Sequence, residues 1–286
     1  MIFFMIPWST HHNYKLSSIQ VNENMLRRDY MRILIVTGIS SFMNLDCALK
    51  GKTTRPSSLR SDFEVDVFKT SEGELKITFV GHGSYMFTFN NLVIHFDPWS
   101  TLTDYSKLPK ADIVLVTHEH MDHLDPTALD LIRKDETVLL YSESCAEKYK
   151  GGHVTKYGDV QTIKGIKIET VPAYNIIVTK QGSHPYGWAN GYVFNFGDMR
   201  VYSAGETEII PEMERIKDID IALFSVDSVF NMTPEMAAEA AKVIKPKVLY
   251  PIHFKPTLQN KLSDLDILVN LLKDEKEIDI RIRKMQ

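Results

Sequence analysis

The sequence predicts an α+β chain: two sheets with helices packed outside them. Two observations carry that expectation. Short runs with period-two alternation fill the first part of each half, and helical patterns follow them. Hairpin-like turns join many of these runs, which breaks the regular strand–helix alternation of a closed α/β barrel.

In order, residues 65–68 and 75–80 alternate with period two, and Gly81-His82-Gly83-Ser84 follows as a tight, backbone-permissive turn. Residues 85–89 and 92–96 read as a hairpin closed by Asn90-Asn91, two residues that tolerate positive φ, and it ends in Asp97-Pro98. Residues 113–116 are a buried apolar strand. A helix begins at Pro126 behind an Asp125 N-cap and runs to about 134, with a strand at 137–141 and a short helix at 144–150. The second half repeats the order. Strands are expected at 161–163, 165–171, 191–196, 200–203, 219–224 and 248–250, with a hairpin turn at Gly197-Asp198. Thr233-Pro234-Glu235 opens a helix in capping-box style over 236–244. An amphipathic helix over about 262–273 and an edge strand at 278–282 close the chain.

The 286 residues are 44% hydrophobic and 24% charged, the composition of an ordinary globular protein. A net charge of −4 gives no global attraction to nucleic acid or anionic membranes. Two cysteines, Cys47 and Cys145, provide neither a disulfide framework nor a thiolate zinc site. Any metal must therefore be held by His, Asp and Glu.

Residues 1–61 read as an N-terminal extension ending in a linker over 50–61, ahead of a domain over 62–286. Within the extension, Arg27, Arg28 and Arg32 precede a mostly apolar stretch over 33–43. This resembles a secretory signal if translation starts at Met31, with Cys47 placed as a lipidated cysteine. An irregular extension docked on the domain is the alternative. A cytoplasmic chain is favoured, an exported lipoprotein is the other reading, and membrane contact is expected only through Cys47.

The chemistry concentrates in Thr117-His118-Glu119-His120-Met121-Asp122-His123, directly after the buried run 113–116. Imidazole and carboxylate in an H-x-H-x-D-H pattern at a strand end suit two divalent cations. Two cations need more ligands than one loop supplies. His184, Glu206 and His253 recur at similar strand-end positions and are the candidates. Asp97 is expected to fix a histidine tautomer from behind, and His82 to form a pocket wall or touch substrate. Tyr174, Asn175 and Trp188 are placed near the mouth, and Glu208 at the surface.

With the motifs Gly81-His82-Gly83-Ser84, His95-Phe96-Asp97-Pro98, Val171-Pro172-Ala173-Tyr174-Asn175, Ser203-Ala204-Gly205-Glu206-Thr207 and Tyr250-Pro251-Ile252-His253 beside the histidine loop, the chain resembles the metallo-β-lactamase superfamily. Within it, the chain is similar to the ascorbate-6-phosphate lactonase-like hydrolases. The resemblance implies a four-layer αββα sandwich and two divalent cations, Zn²⁺ or Mn²⁺. His118, His120 and His184 would hold one, and Asp122, His123 and His253 the other. Glu206 stands where the family places a bridging aspartate, one methylene longer. Asp122 would also orient the attacking hydroxide. The implied function is a dinuclear hydrolase of a small ester, lactone or phosphodiester. A phospholipase-D-like phosphodiesterase acting on N-acyl phospholipids and a non-catalytic metal-binding scaffold are the alternatives. A small-molecule substrate is expected and nucleic acid is not. A homo-oligomer is compatible with the sequence.

Overall fold

The computed structural model describes residues 63–254 and 263–285. The signal-like stretch, Cys47 and the linker lie outside them, as does Leu262, where the sequence starts the last helix. The first half runs β1 (Glu64–Thr70), β2 (Gly73–Gly81), β3 (Ser84–Phe89), β4 (Leu92–Phe96), β5 (Ile113–Val116), α1 (Pro126–Ile132), β6 (Val138–Tyr141), α2 (Glu143–Lys148) and β7 (His153–Val154). The second runs β8 (Val160–Ile163), β9 (Ile166–Ala173), β10 (Ala189–Phe196), β11 (Met199–Ser203), β12 (Ile221–Ser225), α3 (Pro234–Ile244), β13 (Val248–Ile252), α4 (Leu265–Leu272) and β14 (Asp279–Ile280).

The described strands form two seven-stranded sheets, ordered β1 to β7 and β14 to β8. In each, four strands pair antiparallel before the pairing turns parallel at β4–β5 and at β11–β12. The two halves thus share one grammar. The two-residue turns fall where the sequence places them: Asn90 and Asn91 take φ of 47° and 65°, and Gly197 takes 61°.

Strands β2, β3 and β4 send Leu75, Ile77, Phe79, Tyr85, Phe87, Phe89, Ile94 and Phe96 into one core with Tyr192, Phe194 and Phe196 of β10. Parallel β5 is buried on both faces: Ile113 and Leu115 join that core, while Val114 and Val116 pack under α1 and α2. Asp125 caps α1 by accepting from the Thr127 and Ala128 amides, and Thr233 caps α3 by accepting from the Met236 amide. The alanines of α3 (Ala237, Ala238, Ala240 and Ala241) are fully buried in the core that includes the second sheet.

Several boundaries depart from the sequence reading, among them the edge strand over 278–282, which shortens to Asp279–Ile280, and the end of β13. The proline at 251 suggests an end at Tyr250, yet β13 continues to Ile252. Strand β14 pairs only with Val248 and Leu249, so Pro251 lies past the paired stretch on that side and breaks no ladder bond there.

Candidate metal centre

The candidate ligands converge because parallel strands deliver them from the same ends. Asp97 follows β4, the histidine loop follows β5, Glu206 follows β11 and His253 follows β13. The loop at 117–125 is closed by amides of His123 and Leu124 donating to the His120 carbonyl at 3.0 and 2.8 Å. That turn brings His118, Asp122 and His123 into the interior. Three non-glycine residues hold left-handed backbone here: His82 (φ 51°), Asp97 (42°) and His253 (49°). Such strain clusters at functional sites. Gly205 (φ 66°) precedes Glu206, and a Cβ there would meet the Asn190 carbonyl oxygen at 2.5 Å. Only glycine lets this turn present Glu206.

His118, His120, His184 and Glu206 bring one ligand atom each within 4.8 Å of one another. His123, Glu206 and His253 form a second such group, and His82, Asp122 and His253 a third. Glu206 is shared between the first two. Its Oε2 lies 2.6 Å from His184 Nε2 and 3.7 Å from His118 Nε2. Its Oε1 lies 2.6 Å from His253 Nε2 and 3.3 Å from His123 Nε2. Despite these close approaches, Nε2 of His123, His184 and His253 and Oε1 of Glu206 are buried without hydrogen-bond alignment. Buried polar atoms are normally satisfied. Atoms that point together without pairing suit a shared cation, and an imidazole–carboxylate set fits a borderline or hard divalent one.

Partners behind the ligands fix the tautomers. Asp97, fully inside the fold, accepts from the Thr117 amide through Oδ1 at 2.8 Å and from the Thr117 hydroxyl and His123 Nδ1 through Oδ2, each at 2.8 Å. Having given its proton to Asp97, the Thr117 hydroxyl accepts from His118 Nδ1 at 2.9 Å. Both rings therefore carry hydrogen on Nδ1, which turns Nε2 inward. Thr117 is a partner the sequence reading missed. So is Asp227, whose Oδ2 faces His253 Nδ1 at 3.6 Å, too far for a hydrogen bond. Its position just past β12 is the strand-end signal that marks the other ligands.

Burial, then His123 and His184, push the His118 imidazole well below its ordinary value, so it is neutral. Burial alone would raise Glu206, but His253, His184 and His123 outweigh it and keep the carboxylate ionised. His253 is desolvated too, yet Glu206 and Asp122 lift it to about 10. Burial and His253 lower His82 to about 4.

A cavity of about 340 Å³ opens on the centre, lined by His120, Met121, Asp122, Gly182, Ser183, Glu206, Phe230 and His253. Three expectations differ here. His82 does not line it: the ring is buried, with Nε2 3.1 Å from Asp122 Oδ2 and its centroid 3.7 Å from that of the His253 ring. Asn175 is buried rather than at the mouth, its amide donating to the Lys180 and Phe230 carbonyls and lying 3.3 Å from His184 Nδ1. Glu208 is wholly buried, accepting from the Ile176 and Ile177 amides at 2.8 and 2.7 Å, with Lys180 Nζ at 3.5 Å. Tyr174 donates to Glu212, and Trp188 packs its ring edge-on to His120.

The Beta-lactamase superfamily domain family matches residues 76–253. A UPF0173 metal-dependent hydrolase of Pelotomaculum thermopropionicum is 31% identical over 193 residues, covering 63% of this chain and 84% of the relative. One from Nanoarchaeum equitans is 27% identical, covering 72% and 100%. A solved structure described as a metal-dependent hydrolase, from Parabacteroides distasonis, is 46% identical with a TM-score of 0.74, covering 79% and 100%. A metallo hydrolase of Ignicoccus hospitalis, 24% identical with a TM-score of 0.62 and covering 73% and 95%, shares the fold. With the family matched across both ligand-bearing halves, this chain belongs to the beta-lactamase superfamily, among the UPF0173 metal-dependent hydrolases of the metallo-β-lactamase fold.

Proposed function

We infer that the protein is a dinuclear hydrolase in which Glu206 joins two cation sites, one at His118, His120 and His184 and one at Asp122, His123 and His253. The observation that carries this reading is the division of the Glu206 carboxylate, each oxygen 2.6 Å from a histidine of a different cluster. The longer side chain thus spans the two sites as a shorter bridging aspartate would. When bound, two divalent cations, zinc or manganese, supply hydroxide near neutral pH and polarise the electrophilic oxygen of an ester, lactone or phosphodiester.

The chain's own groups do the rest. Asp122 lines the cavity and stays ionised, because burial is outweighed by the His123 imidazole, by the neighbouring His253 and by the hydrogen bond from His82. It can therefore accept a hydrogen bond from the attacking water and hold its remaining lone pairs toward the substrate. His82, neutral at pH 7, donates from Nε2 to Asp122 and fixes that carboxylate's rotation. Asp97 and Thr117 hold the rings of His118 and His123 against rotation. Trp188 packs edge-on against His120, and Gly182 and Ser183 line the cavity.

The test is turnover by protein reconstituted with Zn²⁺ or Mn²⁺ on lactones, carboxylic esters, phosphodiesters and N-acyl phospholipids. Activity on at least one class, lost in His118→Ala with the circular dichroism spectrum retained, is the expected result. Equal turnover by His118→Ala would exclude this centre as the site of reaction.

A further inference from the structure

The segment after β14 runs back to the metal centre. Arg281 and Arg283 both donate to Asp66 of β1, Arg283 in a bidentate manner, and the Lys284 amide donates to Glu64 at 2.5 Å. The Arg283 guanidinium lies over the Tyr250 ring, 5.7 Å from its centroid, and the Arg281 amide donates to the Leu249 carbonyl at 2.9 Å. The segment is thus tied to β13, the strand that delivers His253. It reaches Met285, fully buried, whose carbonyl accepts from the His82 amide at 2.8 Å. The His82 carbonyl in turn accepts from the His253 amide at 2.9 Å.

His82 and His253 both hold left-handed backbone, with φ of 51° and 49°. Non-glycine residues keep that conformation where their surroundings hold it. At His82 both backbone polar groups are bonded, the amide to Met285 and the carbonyl to His253. The ring that this backbone aims donates from Nε2 to Asp122 at 3.1 Å, and its centroid lies 3.7 Å from that of His253. The next residue is packed as closely: a Cβ on Gly83 would come within 3.3 Å of both the His123 and the His253 rings. A shift of the 82–83 backbone is therefore felt at Asp122, His123 and His253, the three ligands of one site.

Resting on the two-site reading above, we propose that the segment Arg281–Met285 is a positioning strap for the site at Asp122, His123 and His253, acting through His82. Met285 holds the His82 backbone, and His82 holds the Asp122 carboxylate and the His253 backbone. Coupling of this kind is reciprocal, so a cation at that site holds the strap down as much as the docked strap favours the cation.

Zinc is the probe, on two backgrounds of the full chain that each keep one site. His120→Ala leaves the site at Asp122, His123 and His253, and His123→Ala leaves the one at His118, His120 and His184. Ending the chain after Arg283 should weaken zinc binding about tenfold in the His120→Ala protein, measured by competition with a chromophoric chelator. It should leave the affinity of the His123→Ala protein unchanged. Arg283→Gln, which loosens the strap and keeps Met285 in the chain, should act in the same direction and decides the question if the shortened chain does not fold. In the reverse sense, zinc should slow tryptic cleavage after Arg283 and Lys284 in the His120→Ala protein and not in the His123→Ala protein, read by intact mass. Equal weakening on both backgrounds, no weakening on either, or equal protection of the strap would overturn the proposal, because a segment that only stabilises the fold does not choose between sites. A His120→Ala protein that takes up no zinc would instead sink the two-site reading, and this inference with it.

Discussion

Asp97 occupies a backbone conformation (φ 42°) that aspartate and asparagine tolerate better than most residues, and its carboxylate orients two ligand rings. Replacing it with asparagine keeps the shape and removes the acceptor that faces His123. Asp97→Asn is expected to weaken metal binding by about ten- to a hundredfold, measured by competition with a chromophoric chelator; an unchanged affinity would show that His123 needs no orienting partner. The loop ligands are legible in the sequence because their spacing is local. Glu208 is not. It sits two residues past Glu206 in a stretch with no periodicity, and only the folded loop over it turns an apparently exposed carboxylate into a buried clamp. Asn175 is misplaced by the sequence for the same reason: its partners, Lys180, Phe230 and His184, come from two different loops.

At the level of elements, the segment 206–208 grips the 174–188 loop. Thr207 Oγ1 donates to the Tyr174 carbonyl, Glu208 takes the next two amides, and Glu206 faces His184. Glu208→Gln keeps an acceptor but removes the charge opposite Lys180. It is expected to lower metal affinity about tenfold and to speed tryptic cleavage at Lys180, both readable on the folded protein; resistance equal to wild type would show the clamp is unnecessary. A second clasp ties β1 to the chain's end. Asp66 accepts from Tyr250, Arg281 and, in a bidentate manner, Arg283. Burial would raise its carboxyl, but hydrogen bonds from Tyr250, Arg283 and Arg281 bring it below its ordinary value. Its stabilisation is therefore complete above the unfolded value of about 3.9 and is lost as pH falls through the lower folded one. Asp66→Asn should be less stable by about 1–3 kcal/mol at pH 7, the gap closing below about pH 4. Urea unfolding at pH 7, 4 and 3 measures it, and a gap constant with pH would rule out the charge as its source.

For the whole molecule, the two halves meet through aromatic side chains that alternate along β3 and β10. Phe87 is fully buried and lies edge-on to Phe194 and Phe196, both at 5.3 Å between centroids. Phe87→Ala should cost about 3–5 kcal/mol, seen as a fall in Tm of roughly 10 °C; a loss under about 1 kcal/mol would mean the sheets do not depend on this contact. Period-two alternation made these strands legible, and turn residues such as Asn90-Asn91 made their order legible. Sheet pairing was not, because β4–β5 and β11–β12 change direction through connections whose lengths carry no register. Among the described residues no helix is long and apolar enough to cross a membrane.

The central claim is that Glu206 holds two sites together, and metal content tests it most directly. After chelation, reconstitution and desalting, elemental analysis should find close to two cations per wild-type chain, and close to one in Glu206→Gln, whose amide cannot offer an oxygen to each cluster. One cation or fewer in the wild type, or an equal ratio in the two proteins, would contradict it.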